Sequence, residues 1–161
     1  MSLVFPYDKL PTLNPIWPLY GRLERSRPTI IVAIVGPRGT VVRKALVDTG
    51  ADDTVFPDFV ATRLGVDLSQ APIGAAAGVG PTATAILRYA ELTLRISDGK
   101  EYREWQARIG FTATPLQRPL LGFAGFLQFF DATFHGDREF LELTVNASYR
   151  GTCMTRRIRK W

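Results

Sequence analysis

The chain has 161 residues, 46% apolar and 22% charged, a balance that suits one domain with its own core and excludes global disorder. Its net charge is +5, but the excess lies in residues 147–161, where Arg150, Arg156, Arg157, Arg159 and Lys160 meet no acid; the first 146 residues hold 15 basic and 15 acidic side chains, so nucleic-acid binding is not expected except through that tail. A single cysteine, Cys153, and a single histidine, His135, exclude an internal disulfide framework and a Cys/His metal cluster, and no metal or other cofactor is expected.

Residues 1–28 carry Pro6, Pro11, Pro15, Pro18 and Pro28, which predict an extended, non-helical arm. Phe5, Tyr7, Ile16, Trp17 and Tyr20 give it apolar surface, so it is expected to lie across the domain; a removable pro-segment is the sharper alternative. The prolines, with Asp8 and Asn14, interrupt any signal-peptide core, and no run reaches the ~18 apolar residues of a membrane span. A cytoplasmic location without membrane contact is the default expectation.

Thr29 to Val35 is a β-branched, apolar run, a buried strand. Gly36-Pro37-Arg38-Gly39 turns the chain, and Thr40 to Val47 is the returning strand, which ends at Asp48. Pro57 opens a short helix with Val60 and Leu64 on one face, and Gly65 closes it. The stretch 73–85 is small, uncharged and Gly-rich, as in a hairpin whose tip moves or approaches another backbone closely.

Ala90, Leu92, Leu94 and Ile96 alternate with polar residues, Asp98-Gly99 turns, and Trp105, Ala107, Ile109 and Phe111 alternate again: a hairpin with one buried face. After Pro119-Leu120-Leu121-Gly122, the residues Phe123, Phe126, Leu127 and Phe130 fall on one helical stripe. A last hairpin spans Asp131 to Asn146, turning at His135-Gly136-Asp137, and the tail beyond it lacks periodicity and is expected to be loose. Many strands, frequent Gly/Pro turns and two short helices predict an all-β barrel or sandwich.

The stretch Ala45 to Pro57 carries the chemistry. An apolar strand delivers Asp48 into a tight turn, followed by Asp52 and Asp53, and a carboxylate at the end of a buried strand needs a reason to be there. Asp48-Thr49-Gly50-Ala51, a Gly-rich hairpin about 25–30 residues on, and Leu120-Leu121-Gly122 before a short helix occur in the order of a retropepsin-like aspartic protease. Ala51-Asp52-Asp53-Thr54-Val55 is similar to the viral members, and the helix near 57–65 is similar to bacterial and cellular ones. The resemblance covers roughly residues 27–146, between the arm (1–28) and the basic tail (147–161), and gives the domain as 29–146.

That resemblance implies a closed acid-protease barrel acting as an aspartic endopeptidase. It implies that Asp48 is the catalytic carboxylate, that Thr49 bonds across a dimer axis and that Gly50 permits the turn. Ala51, Asp52 and Asp53 would bind substrate, and Gly78, Val79 and Gly80 would form a flap tip over an extended peptide. The chain contains one Asp-Thr-Gly and is too short for two lobes, so the second carboxylate is expected from another copy in a C2 homodimer. Where viral proteases place an arginine to pair with the acid matching Asp52, this chain has Phe123-Ala124-Gly125, so Asp52 is expected to find Arg118 or water, or to stay solvated. A non-catalytic dimerisation or peptide-binding module with the same fold is the alternative reading.

Overall fold

A computed structural model of the chain describes residues 1–78 and 84–155. Among these the order is β1 (Leu3–Pro6), β2 (Asp8–Ile16), a 3-10 turn (Trp17–Leu19), β3 (Arg22–Arg27), β4 (Thr29–Gly36), β5 (Gly39–Val47), β6 (Val55–Pro57), α1 (Asp58–Leu64), β7 (Ile73–Ala77), β8 (Thr84–Ser97), β9 (Glu101–Thr112), β10 (Leu120–Leu121), a second 3-10 turn (Leu127–Phe129), β11 (Phe130–His135), β12 (Phe140–Val145) and β13 (Thr152–Thr155). The chain is mostly β, as its alternation predicts.

The largest sheet runs β13-β9-β6-β10-β5-β4-β8-β7, and β8 also pairs with β9. Period-two patterning explains the long pair: Leu92, Leu94 and Ile96 of β8 and Trp105, Ala107, Ile109 and Phe111 of β9 are all buried. Ile30, Val32 and Ile34 of β4 and Val47 of β5 join the same core. Each such Ile, Leu, Val or Phe stabilises by roughly 1.5–3 kcal/mol on leaving water. The short helix α1 is where the sequence puts it: Val60, Ala61 and Leu64 are buried, and Gly65 caps the end in the left-handed region at φ 72°.

Three expectations need correction. The N-terminal arm is extended, but it is built into strands. β1 pairs with β12 and buries Leu3 and Phe5, whereas β2 and β3 form a separate hairpin. Prolines hide the alternation of β2, and a two-stranded ribbon tolerates them because its outer edge needs no donor. The hairpin is pinned by ion pairs from Lys9 and Arg22 to Glu139 and, at its base, from Lys44 to Asp8, while Leu13, Trp17 and Tyr20 stand exposed.

The stripe from Phe123 to Phe130 is not a helix beyond the 3-10 turn Leu127–Phe129, and Phe123 is exposed. The Ala124 carbonyl is used elsewhere, accepting from the Thr54 N–H at 3.0 Å, and the Leu127 and Gln128 N–H groups donate five residues back, to Gly122 and Phe123, so no i→i+4 ladder forms. Phe126 and Phe130 are core as expected, with ring centroids 5.9 and 5.2 Å from that of Trp105. The tail, finally, is not loose as far as residue 155: β13 pairs antiparallel with β9, and the Tyr149 hydroxyl donates to the Glu104 carbonyl at 3.0 Å. Among the described residues no helix is long and apolar enough to cross a membrane.

Candidate active site

The site grows from the end of β5. Val47 is buried, and Asp48, half-buried, follows it out of the sheet. The Asp48 N–H donates to the Leu121 carbonyl at 3.1 Å, and its Oδ1 accepts from the Gly50 N–H at 2.9 Å. This short Asx turn fixes the carboxylate plane before any ligand arrives. Thr49 and Gly50 are exposed beside it.

The following residues are braced by the segment after β10. β10 lies parallel to β5 (Leu120↔Leu46, Leu121↔Val47) and opposite β6 (Leu120↔Val55). Beyond it, the Phe123 N–H donates to the Ala51 carbonyl at 2.9 Å and the Ala124 N–H to that of Asp52 at 2.8 Å; the Thr54 N–H returns to the Ala124 carbonyl at 3.0 Å. The two strands of backbone are so close that a Cβ on Gly122 would stand 2.3 Å from the Asp53 carbonyl oxygen and 2.6 Å from that of Ala51. Leu-Leu-Gly therefore has a physical reason: two apolar residues in the sheet, then a position with no room for a side chain.

Asp53 is half-buried, and its Oδ2 accepts from the Tyr89 hydroxyl at 3.2 Å. Asp52 is exposed and, among the described residues, makes no ion pair. The expected Arg118 contact is not made: Arg118 lies 3.8 Å from Asp8 instead, at the base of the N-terminal hairpin.

A cleft of about 480 Å³ runs along this loop. Asp48, Gly50, Ala51, Asp52, Asp53, Val55 and Leu120 line one wall, and Ala75, Ala76, Ala77 and Gly78 of the β7 hairpin line the other. The structure thus brings together Asp48, Gly50, Ala51, Asp52, Asp53 and Gly78. Thr49 adjoins the cleft in sequence without lining it. Val79 and Gly80 lie outside the described residues. Sequence reasoning missed Leu120 and the alanines as wall residues, although both stood inside motifs it named. It missed Tyr89 altogether, because a tyrosine in a strand of period two gives no signal of its own. A larger hollow of about 620 Å³, lined by Asp58, Thr62, Asp67 and Arg88 among others, lies against α1 and does not include Asp48. Among the described residues no group of three or more His, Cys, Asp or Glu side chains is placed to hold a metal ion.

No family model and no curated protein matches the chain. Among solved structures, the EIAV protease complexed with the inhibitor HBY-793 aligns over 60% of this chain and 81% of that one, at 25% identity and a TM-score of 0.41. A retropepsin-like aspartic protease from Rickettsia conorii aligns over 89% of this chain and 90% of that one, at 21% identity and a TM-score of 0.53. This second likeness spans nearly the whole of both chains and shows that the protein has a retropepsin-like fold.

Proposed function

We propose that this chain is one half of an aspartic endopeptidase, active as a C2 homodimer on extended peptides. The observation that carries the reading is Asp48, a half-buried carboxylate fixed by the Gly50 N–H in a cleft whose other wall is the β7 hairpin. The ladder from β9 through β6, β10, β5 and β4 to β8, with β8 back on β9, supports a closed acid-protease barrel as the frame.

The chemistry follows from pairing two such carboxylates. Side by side they repel, so the pair retains one proton. The ionised partner takes a proton from a water held between them as that water attacks the peptide carbonyl carbon. The protonated partner gives its proton to the carbonyl oxygen, which leaves a neutral tetrahedral diol. The carboxyl that is now protonated gives its proton to the amide nitrogen, its ionised partner takes a proton from one diol hydroxyl, and the C–N bond breaks to give a carboxylic acid and an amine. One chain supplies one Asp-Thr-Gly, so the dyad needs Asp48 from two copies, and Thr49 would hold the two loops together across the axis.

Substrate would lie extended between the loop and the flap, paired through its backbone as an added strand. The small residues Ala75 to Gly78 let a peptide approach that closely, and Val79 and Gly80, outside the described residues, are proposed as further substrate-binding positions. Ala51, Asp52 and Asp53 would receive peptide main chain and flanking side chains. Residues 29–146 would form the catalytic unit, with the arm and tail added around it.

The test is cleavage of a peptide library at mildly acidic pH by the wild type and by Asp48→Asn. The wild type should cleave and be blocked by a statine-type transition-state mimic, and Asp48→Asn should lose about 10³-fold or more in kcat. Equal cleavage by both would refute the reading, and peptide binding without turnover would assign a binding module instead.

A further inference from the structure

Tyr89 sits on β8, outside the motifs that mark the site, yet its hydroxyl reaches Asp53 on the cleft wall at 3.2 Å. Its ring is accommodated by Gly74. A Cβ on Gly74, in the opposing flap strand β7, would stand 2.5 Å from the Tyr89 hydroxyl oxygen and 2.6 Å from a ring carbon. At Gly110, directly across on β9, a Cβ would make only an ordinary contact with the other ring edge, at 3.5 Å. The Tyr89 N–H donates to the Pro72 carbonyl at 3.0 Å, just before β7 begins. One side chain thereby touches the flap strand and the loop that carries the cleft's carboxylates.

We infer that Tyr89 is a positioning residue, which holds the Asp53 carboxylate in one orientation for the incoming peptide and ties that orientation to the flap hairpin. This rests on the proteolytic reading above. A carboxylate turns easily about its last bond, and an unheld one would lose that freedom on every binding event. The tyrosine hydrogen bond removes the freedom beforehand, so its loss acts on peptide binding rather than on the water and dyad at Asp48. Gly74 is part of the same device, because any side chain there would displace the ring.

The test compares KM and kcat for one peptide among the wild type, Tyr89→Phe, Gly74→Ala, Asp53→Ala and the Asp53→Ala/Tyr89→Phe double variant, with melting temperatures alongside. Tyr89→Phe keeps the ring and should raise KM about 5-fold or more, with kcat within about 2-fold of the wild type. Gly74→Ala should raise KM in the same direction. In the Asp53→Ala background, Tyr89→Phe should change KM by less than about 1.5-fold, since its effect passes through Asp53. The same KM rise in both backgrounds, or a fall in kcat at constant KM, would overturn the inference.

A second arm needs no substrate. Burial and then the Asp53 charge hold the Tyr89 phenol above its ordinary value. In protein carrying labelled tyrosine, an NMR titration of Asp53→Asn should bring Tyr89 down and leave Tyr102 and Tyr149 unmoved. An unmoved Tyr89 would count against the contact. Absence of any cleavage by the wild type would count against the proteolytic reading and, with it, the positioning role.

Discussion

Replacing Gly122 by alanine tests the bracing of the loop that carries Asp48 with a single methyl group. That methyl would stand 2.3 Å from the Asp53 carbonyl oxygen, 2.7 Å from its carbon and 2.6 Å from the Ala51 oxygen. All three are backbone atoms, so no rotamer change relieves the clash. The φ of Gly122 is not in the left-handed region, so the penalty comes from close approach alone. Overpacking of this kind costs about 1–3 kcal/mol. Separating the two backbones also weakens the Phe123 and Ala124 hydrogen bonds, worth about 1 kcal/mol each. A destabilisation of about 3–5 kcal/mol lowers Tm by roughly 6–20 °C in a domain of this size. Displacing the Asp48 turn by about 1 Å should cost a further ~10²-fold in kcat. Thermal unfolding by circular dichroism and peptide cleavage read the two effects. Gly136→Ala is the control, because nothing lies within 4 Å of its Cβ position, and it should stay within about 0.5 kcal/mol of the wild type. A Gly122→Ala protein that melts within about 2 °C of the wild type and cleaves normally would refute the bracing argument.

Other consequences are as specific. The Arg22 guanidinium, with Ser26 and Lys9, holds the Glu139 carboxyl down from 4.5 to about 2. A depressed acid stabilises above its ordinary value and loses that contribution as the pH falls through the folded value, so hydrogen-exchange protection of β2 and β3 should decline between pH 4.5 and about 2. Glu139→Gln should show the lower protection already at neutral pH and no step below it; an unchanged step would assign the effect to another group. Trp105→Phe should cost about 1–3 kcal/mol by chemical denaturation, because the indole N–H donates to the Gly125 carbonyl at 3.0 Å from a buried position. A cost under about 0.5 kcal/mol would show that this bond does not matter. Ending the chain at Asn146 should remove β13, uncover Trp105 beside Tyr149 and lower Tm by several degrees, whereas a truly loose tail would leave Tm unchanged.

Much of this fold was legible because its core obeys simple periods. Leu92 to Ile96 and Trp105 to Phe111 alternate strictly, and both segments lie where that alternation puts them. Pro57, Leu64 and Gly65 bracket α1 by local chemistry alone. Long-range use of backbone was not legible. Phe123 to Phe130 has helical spacing, but the Ala124 carbonyl that a helix would need is committed to the Thr54 N–H, far off in sequence. The β2–β3 hairpin escaped notice because Pro11 and a register shift before Ile16 break its pattern, and β13 because its residues are all exposed. At the cleft, the Asp48 turn and the Leu121-Gly122 brace could be found as motifs. Tyr89 could not, since the room for its ring comes from Gly74 on another strand and its hydroxyl partner, Asp53, is far off in sequence.

The central claim is that Asp48 is half of an active site. Subunit mixing tests it most directly: wild-type and Asp48→Asn chains are unfolded together in equal amounts, refolded, and assayed at saturating peptide. If both carboxylates are required, only wild-type pairs cleave, and about a quarter of the activity of the same total amount of wild-type chain should remain. About half the activity would mean that each chain works alone, and would contradict the account.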